Sequence, residues 1–560
     1  MQAAPRPARQ GRRPLVWPLG TALIAFLVLV PIVSVLWTAF HPTENIWPHL
    51  LATTLPRYLK NTVLLALGTG CLAAAVGTGA AWLVTMYRFP LSRAIEWLLL
   101  LPLAVPAYVG AFVLVDFFDY SGLVQTGLRK SFGWASARDY WFPEIRSLWM
   151  AAIVLAAALY PYVYMLARAA FRELSGGSYE VARALGTGPF GLFWRVGLPL
   201  ARPAIAAGTA IVMMETVNDY GVVSYFSVQT LTTGIFSTWL ERGNAGGAAQ
   251  LSSLVLVVIL TLMAVERIGR NRLRFHAAGR HRRPVTAQLL RGPAAWLAAG
   301  LCLIPFAVGF ALPVAVMFLH AASSPAAWLS KDLARALGNT LLVGGTASLL
   351  TVSASLFMVY GVRLSGTRLP RLFLPVTTLG YAAPGAVLAV GILIPLAALD
   401  HRLADLILAL TGHDPGLLLT GSAMAIIFAF TVRFFAIAQG AVDAAFGRVA
   451  PSLPLAARSL GRNEGGTLRD VYLPLMKGSI GTALLLVFVD CVKELPATLL
   501  LRPFNFDTLA TRANERASLE NLSEAAPAAL LIIAVGLIAV ILLARASLKT
   551  ERSIRPGAIQ

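Results

Sequence analysis

The chain has 560 residues, of which 57% are hydrophobic and 13% charged, with a mean hydropathy of +0.72. That composition excludes an ordinary water-soluble globule and points to a polytopic membrane protein. The formal net charge of +20 would direct a soluble protein toward nucleic acid, but here the cations gather in gaps between apolar runs, which is a topology signal instead.

Crossing a hydrocarbon core of about 30 Å takes roughly 20 apolar residues. Such runs are centred near residues 15–40, 61–87, 95–118, 147–171, 203–225 and 249–265, and again near 294–320, 339–362, 372–398, 417–440, 479–501 and 525–545. The expectation is an all-α polytopic membrane protein of twelve helices in two homologous six-helix halves. The segments are a cytoplasmic tail (1–14), a first half (15–269), a basic linker (270–292), a second half (293–546) and a second tail (547–560).

The amino-terminal tail carries Arg6, Arg9, Arg12 and Arg13 and is Pro-rich, so it reads as a disordered lead. The first apolar run is as long as a span and lacks a small-residue cleavage site behind a short core, so it reads as an uncleaved anchor. Asn61-Thr62 opens the second span, and Asn339-Thr340 opens its counterpart. Both helices are rich in Gly, Ala and Thr, which lets neighbours approach closely in lipid. Proline at 102, 106, 375 and 384 predicts kinked or broken helices in the third and ninth spans. In the fourth span, Tyr160-Pro161-Tyr162-Val163-Tyr164 has two readings: phenols as hard oxygen ligands for a cation, or tyrosines bonding backbone carbonyls around a kink.

The stretch Ser178 to Ile205 lies between apolar runs yet carries Glu180, Arg183, Arg195 and Arg202, so it belongs at the membrane face. Its pattern of Glu180, Ala182, Gly186, Val196, Leu198 and Pro199 recurs 275 residues later as Ala457, Gly461, Val471, Leu473 and Pro474. A loop built twice, once per half, predicts two equivalent surfaces for a two-fold partner.

The fifth and eleventh spans also match. Glu215 and Asp219 stand at the same offset from Asp490 and Glu494, with Lys493 beside the latter. In a continuous helix, Glu215 and Asp490 lie roughly 18 Å deep, and carboxylates four residues apart share one face. Ionised groups at that depth cost at least about 3 kcal/mol each, so they are paired or wet. Either Lys493 neutralises its neighbours, or the acids flank an aqueous route for a cationic or polar solute.

Eight arginines run from Arg267 to Arg291, in and just before the linker, which reads as a solvated tether rather than a nucleic-acid site. Arg88, Arg93, Arg363, Arg368, Arg371, Arg545, Lys549, Arg552 and Arg555 fall on the same side as the repeated loops if twelve helices alternate, which makes both termini cytoplasmic. The gap 399–416, with Asp400, Asp405 and Asp414, falls on the other side. Cys71, Cys302 and Cys491 make neither a disulfide framework nor a metal-ligand spacing. His41, His49, His320, His401 and His413 show no close metal-type pairing, and no catalytic nucleophile and base stand out. None of the six lysines follows a glycine, so no P-loop is present.

With Glu180-Val181-Ala182, Gly186, Val196, Leu198 and Pro199 in hand, the chain resembles the permease subunits of ATP-binding-cassette importers. The second copy fits through Ala456, Ala457, Gly461, Val471, Leu473 and Pro474, with Leu455 in place of the glutamate. Pro102 to Tyr108, Asn218 to Gly221, Leu231 to Phe236 and above all Lys493 to Phe504 are similar to the ferric-iron branch, in which two halves are fused. The resemblance implies a type I importer permease in the bacterial inner membrane, with no cofactor of its own and each loop a short helix pair docking on an ATPase. The implied partners are two copies of that ATPase and a periplasmic binding protein delivering ferric iron. Thiamine, phosphonate and polyamine permeases share the architecture. An ion-coupled secondary transporter, with its two repeated halves, a channel or scaffold, and an intramembrane enzyme are the more distant readings.

Overall fold

The computed structural model describes residues 16–42, 44–173, 176–272, 287–365, 373–374, 377, 380 and 383–554. The first tail, most of the linker, Arg368, Arg371, Pro375 and the end of the second tail lie outside the described residues. Among those described, twelve helical runs are long and apolar enough to cross a membrane.

In the first half the elements are α1 (Val16–Phe40), α2 (Leu55–Met86), β1 (Tyr87–Arg88), α3 (Ala107–Phe118), α4 (Leu123–Phe132), α5 (Leu148–Arg172) and α6 (Gly176–Ala184). They continue with α7 (Leu198–Asn218), α8 (Gly221–Tyr225), α9 (Leu231–Phe236) and α10 (Ala245–Arg272). The second half has β2 (Gln288–Leu289), α11 (Pro293–Phe306), α12 (Leu312–Ser323), α13 (Lys331–Ser365), α14 (Gly385–Thr411), α15 (Met424–Gly447) and α16 (Ser452–Ser459). It ends with α17 (Leu473–Val492), α18 (Pro496–Leu501), α19 (Leu509–Ser518) and α20 (Leu522–Ile554).

These elements form two compact units that do not follow the chain halves: Met1–Ser34, Leu342–Ala383 and Gly391–Cys491 in the smaller, and Val35–Leu341, Pro384–Val390 and Val492–Gln560 in the larger. In the larger unit, α2, α5 and α7 pack around buried Trp82, Met86, Tyr160, Tyr164 and Phe171. A side chain at Gly77 would place its Cβ 2.9 Å from the backbone of Tyr160 and Tyr164, so the small residues of α2 permit the close crossing their sequence predicts. Helix α5 runs through Pro161, and the Tyr164 hydroxyl donates to the Glu96 carbonyl at 2.9 Å. Its acceptor lies on another helix rather than among carbonyls freed at the kink, so the bond matches neither reading of the tyrosine cluster. The Glu96 carboxylate is paired with both Arg168 and Arg172. Strands β1 and β2 pair in parallel, Tyr87 opposite Gln288, and Leu290 N–H donates to Arg88 O at 2.8 Å. The chain that leaves the linker is thus strapped to the end of α2.

In the smaller unit, Trp17 stacks on Phe357 with centroids 4.8 Å apart. Thr377 donates to Gln439 Oε1 at 2.5 Å, and Gln439 Nε2 donates to Leu374 O at 3.0 Å.

The break predicted for the third span is present: a helix over Ser92–Leu98 and a 3₁₀ turn over Leu101–Ala104 precede α3, because Pro102 and Pro106 interrupt the ladder. The ninth span shows its predicted break as well: residues 373, 374, 377 and 380 are helical, and α14 begins after Pro384, which disfavours helical geometry in the residue before it. Helix α14 then continues into the supposed external gap 399–416. There Asp400 is buried and accepts from the backbone N–H groups of Leu418, Leu419 and Thr420, pinning the return of the chain. The fifth and eleventh spans each end early, as described next.

Candidate functional site

The repeated loop is an elbow of the same build in both halves. Two residues past the ends of α6 and α16 stand Gly186 (φ +80°) and Gly461 (φ +83°), in the left-handed geometry that glycine accepts without strain. Gly186 N–H donates to Arg183 O and Thr187 N–H to Ala182 O; Gly461 N–H donates to Arg458 O and Arg462 N–H to Ala457 O. These bonds close the helix ends in both copies. One short turn follows (Pro189–Leu192; Glu464–Thr467), then a π turn (Phe193–Gly197; Leu468–Tyr472) that runs without a break into α7 or α17. Leu198-Pro199 and Leu473-Pro474 stand where each π turn passes into α7 or α17, and a proline there donates no N–H to the preceding turn. Every one of these positions keeps the 275-residue offset. The loop is therefore helical throughout its re-entry, and the fifth span begins before residue 203.

Each elbow is braced by an aromatic pair. Trp82 meets Phe171 edge-on at 5.2 Å and Phe193 at 5.3 Å. In the other copy Tyr360 stacks on Phe446 at 5.9 Å and meets Tyr472 at 5.6 Å, while its hydroxyl donates to Glu464 O at 2.6 Å. Tyr472 occupies the place of Gly197, where a Cβ would fall 2.3 Å from the Trp82 ring. A large and a small residue in one elbow are thus replaced by two of middle size in the other. Tyr179 of α6 is buried at 3% exposure, and burial pushes its phenol pKa up, which keeps it neutral. The first elbow has a further hold: with its amide oxygen turned toward α6, Gln288 accepts from Arg183 Nη1 and Nη2 at 3.0 and 2.8 Å.

The outer surfaces differ. Glu180 is exposed, and Leu455 in its place is exposed as well; Ala182 is half-buried and Ala457 buried. Sequence reasoning missed Leu185 and Leu460, which stand just before the two glycines and are 80% and 84% exposed. The available signal was an apolar residue at one position of both copies on a polar segment.

The acidic pairs do not share helix faces. Helix α7 stops at Asn218 and α17 at Val492, so Glu215 and Asp219 lie on opposite sides of a break, as do Asp490 and Glu494. Asp219 Oδ1 accepts from Val222 and Val223 N–H at 2.9 and 3.3 Å. Glu494 accepts from Ala497 N–H at 3.0 Å and from Thr498 N–H at 3.2 Å. Both carboxylates thereby satisfy the orphan donors at the start of the next short helix, α8 or α18. Glu494 is 5% exposed. Glu215, Asp490 and Lys493 are half-buried, and each has an interacting partner.

The chain beyond each break is tied down by the Asn-Thr pairs noted in the sequence. Thr62 Oγ1 accepts from Leu231 N–H at 3.0 Å and Asn61 donates to Gln229 O at 2.9 Å. Thr340 Oγ1 accepts from Leu509 N–H at 2.8 Å and Asn339 donates to Asp507 O at 2.9 Å. Helices α9 and α19 begin there with reciprocal threonine caps, Thr230 with Thr233 and Thr508 with Thr511.

Twelve apolar spans with a doubly built elbow define a multi-pass transport component. Residues 69–275 and 347–550 both match the family described as the binding-protein-dependent transport system inner membrane component, and the chain belongs to that family. It is 25% identical over 552 residues to the Fe(3+)-transport system permease protein FbpB 2 of Haemophilus influenzae, covering 96% of this chain and 100% of that one. It is also 23% identical to the ferric transport system permease protein FbpB of Actinobacillus pleuropneumoniae, over 86% of this chain and 70% of the other. The sulfate transport system permease protein CysT of Escherichia coli is 24% identical over 44% of this chain and 88% of its own. A solved bacterial alginate ABC transporter chain aligns at 17% identity and a TM-score of 0.38, over 46% of this chain and 95% of that one.

Proposed function

We propose that the chain is the fused permease subunit of an ATP-driven importer, translocating ferric iron delivered by a periplasmic binding protein. The observation that carries this reading is the pair of elbows, matched turn by turn at one offset, with exposed docking residues and a rigid passage into α7 and α17. ATP is hydrolysed on a separate subunit, two copies of which dock at the two elbows through Glu180, Ala182 and Gly186 and through Ala457 and Gly461. Leu198-Pro199 and Leu473-Pro474 fix the re-entry angle. Both termini and the linker 270–292 lie on the elbow side, in the cytoplasm, and the permease halves are 15–269 and 293–546. Closure of the motor tilts the elbows, and the π turns pass that tilt to the capped helix breaks. Glu215, Asp219, Asp490, Lys493 and Glu494 border the route there. The iron assignment rests on the two ferric permeases that match most of the chain.

Uptake of labelled ferric iron in cells lacking and regaining this chain tests the reading. Restored, ATP-dependent uptake that excess thiamine or phosphonate leaves unchanged is expected. Iron uptake unaffected by the deletion, or restored uptake that persists without any ATPase partner, would overturn it.

A further inference from the structure

The third apolar run, Ala107–Phe132, breaks after Phe118, and the fourth begins at Leu148, so the end of α4 and the chain from it to Ser147 lie at the membrane surface. Helix α5 runs from this segment toward Arg172 and the elbow, which puts the segment at the end of the larger unit away from the elbow. Its interior is self-satisfied. Gln125 is buried, donates to Phe118 O at 2.8 Å and accepts from the Tyr140 hydroxyl at 2.6 Å. Arg129 donates to Tyr140 Oη at 3.0 Å and lies 3.9 Å over the Tyr120 ring. Phe132, Trp134 and Tyr140 form a continuous stack with successive centroids 4.8 Å apart. Asp139 accepts from the N–H groups of Ala135 and Ser136 at 2.8 and 2.7 Å. Such a segment is already ordered before anything binds to it.

Its outer surface is amphipathic. Phe132 is 65% and Trp141 86% exposed, and Lys130 and Arg138 are exposed beside them. Trp149, also exposed, carries the apolar surface onto the wall of α5, which as a membrane span meets lipid. Aromatic rings with cations at the edge of a span match the boundary between headgroups and acyl chains. We propose that the segment 119–147 is a phospholipid-binding platform: Phe132 and Trp141 enter that boundary while Lys130 and Arg138 meet headgroup phosphates. Continuity with the lipid-facing wall of α5 is what selects lipid over a soluble partner as the occupant.

The test uses the full chain in nanodiscs of phosphatidylethanolamine and phosphatidylglycerol. A fluorophore is placed at Phe132→Cys or Trp141→Cys after Cys71, Cys302 and Cys491 have been replaced by alanine, with a reference label at His413→Cys. Labels at 132 and 141 should be quenched severalfold more by lipids carrying a nitroxide near the headgroup than by aqueous iodide, and the reference label should do the reverse. Because the cysteine-free chain is a heavy alteration, a second arm keeps the native cysteines and places the photo-crosslinker p-benzoylphenylalanine at Trp141. Crosslinks to phospholipid are expected, with the share going to phosphatidylglycerol falling severalfold in the Lys130→Gln/Arg138→Gln background. Iodide quenching equal to the reference, no lipid crosslink, or shielding that appears only when the binding protein is added would each overturn the proposal, the last in favour of a protein-docking surface.

Discussion

Asp219 and Glu494 differ by one methylene, yet each ends a membrane helix and starts the next. Asp219 uses a single oxygen for both backbone bonds, whereas Glu494 divides its two oxygens between Ala497 and Thr498. An amide therefore suffices at the first position and not at the second, where its NH2 group would face an N–H donor. Asp219→Asn should leave thermal unfolding in detergent close to the parent. Asp219→Ala should lose about 0.5–2 kcal/mol with the cap, and Glu494→Gln about 1–3 kcal/mol for the buried donor left unpaired. If Asp219→Asn proves as damaging as Asp219→Ala, charge rather than hydrogen-bond acceptance is what the site requires. The acids and their offset are plain in the sequence, but the break after Asn218 is not: Met213 to Tyr220 contains neither proline nor glycine. In the second half Pro496, at the first position of α18, was a readable signal that Glu494 stands just ahead of a new helix.

At the scale of elements, the twelve spans and the two elbows were readable because both are local patterns: an apolar run, and a glycine and a proline at fixed spacing. The ties between elements were not. Asn61-Thr62 and Asn339-Thr340 were evident as a repeated opening, but their partners lie 168 and 169 residues away in each case. The matching of elbow and brace was further hidden because α2 and α13 repeat at an offset of 278 residues and the elbows at 275, so Trp82 and Tyr360 do not align with Gly197 and Tyr472 at one shift. The ties can be checked directly. Thr62→Val and Thr340→Val keep the shape but remove the acceptor for a buried N–H, and each should cost about 1–3 kcal/mol by thermal unfolding. Equal losses are expected from the two, since the geometry is the same. A neutral Thr62→Val would mean that α9 is anchored by its own threonine cap alone.

For the whole molecule, the proposed two-fold motor meets two surfaces that are alike in backbone and unlike in side chain. Glu180 on one elbow corresponds to Leu455 on the other, so a polar contact at that position cannot be common to both. What they do share is a leucine directly before the glycine, Leu185 and Leu460, each more than three-quarters exposed. An exposed leucine on an otherwise charged turn is costly to leave in water, and burying one fully contributes about 1.5–3 kcal/mol, a factor of ten or more in affinity. Because each side chain is exposed in the free chain, replacing it should leave folding intact. Leu185→Asp or Leu460→Asp alone should weaken recovery of the ATPase with the purified permease, the other elbow still holding the motor dimer by its second contact. The double variant should lose both the complex and transport while inserting normally and keeping the parent's thermal unfolding. Full recovery of the ATPase with the double variant would show that docking rests elsewhere on the inner face, and the elbows would then lose their claim to be the coupling surface.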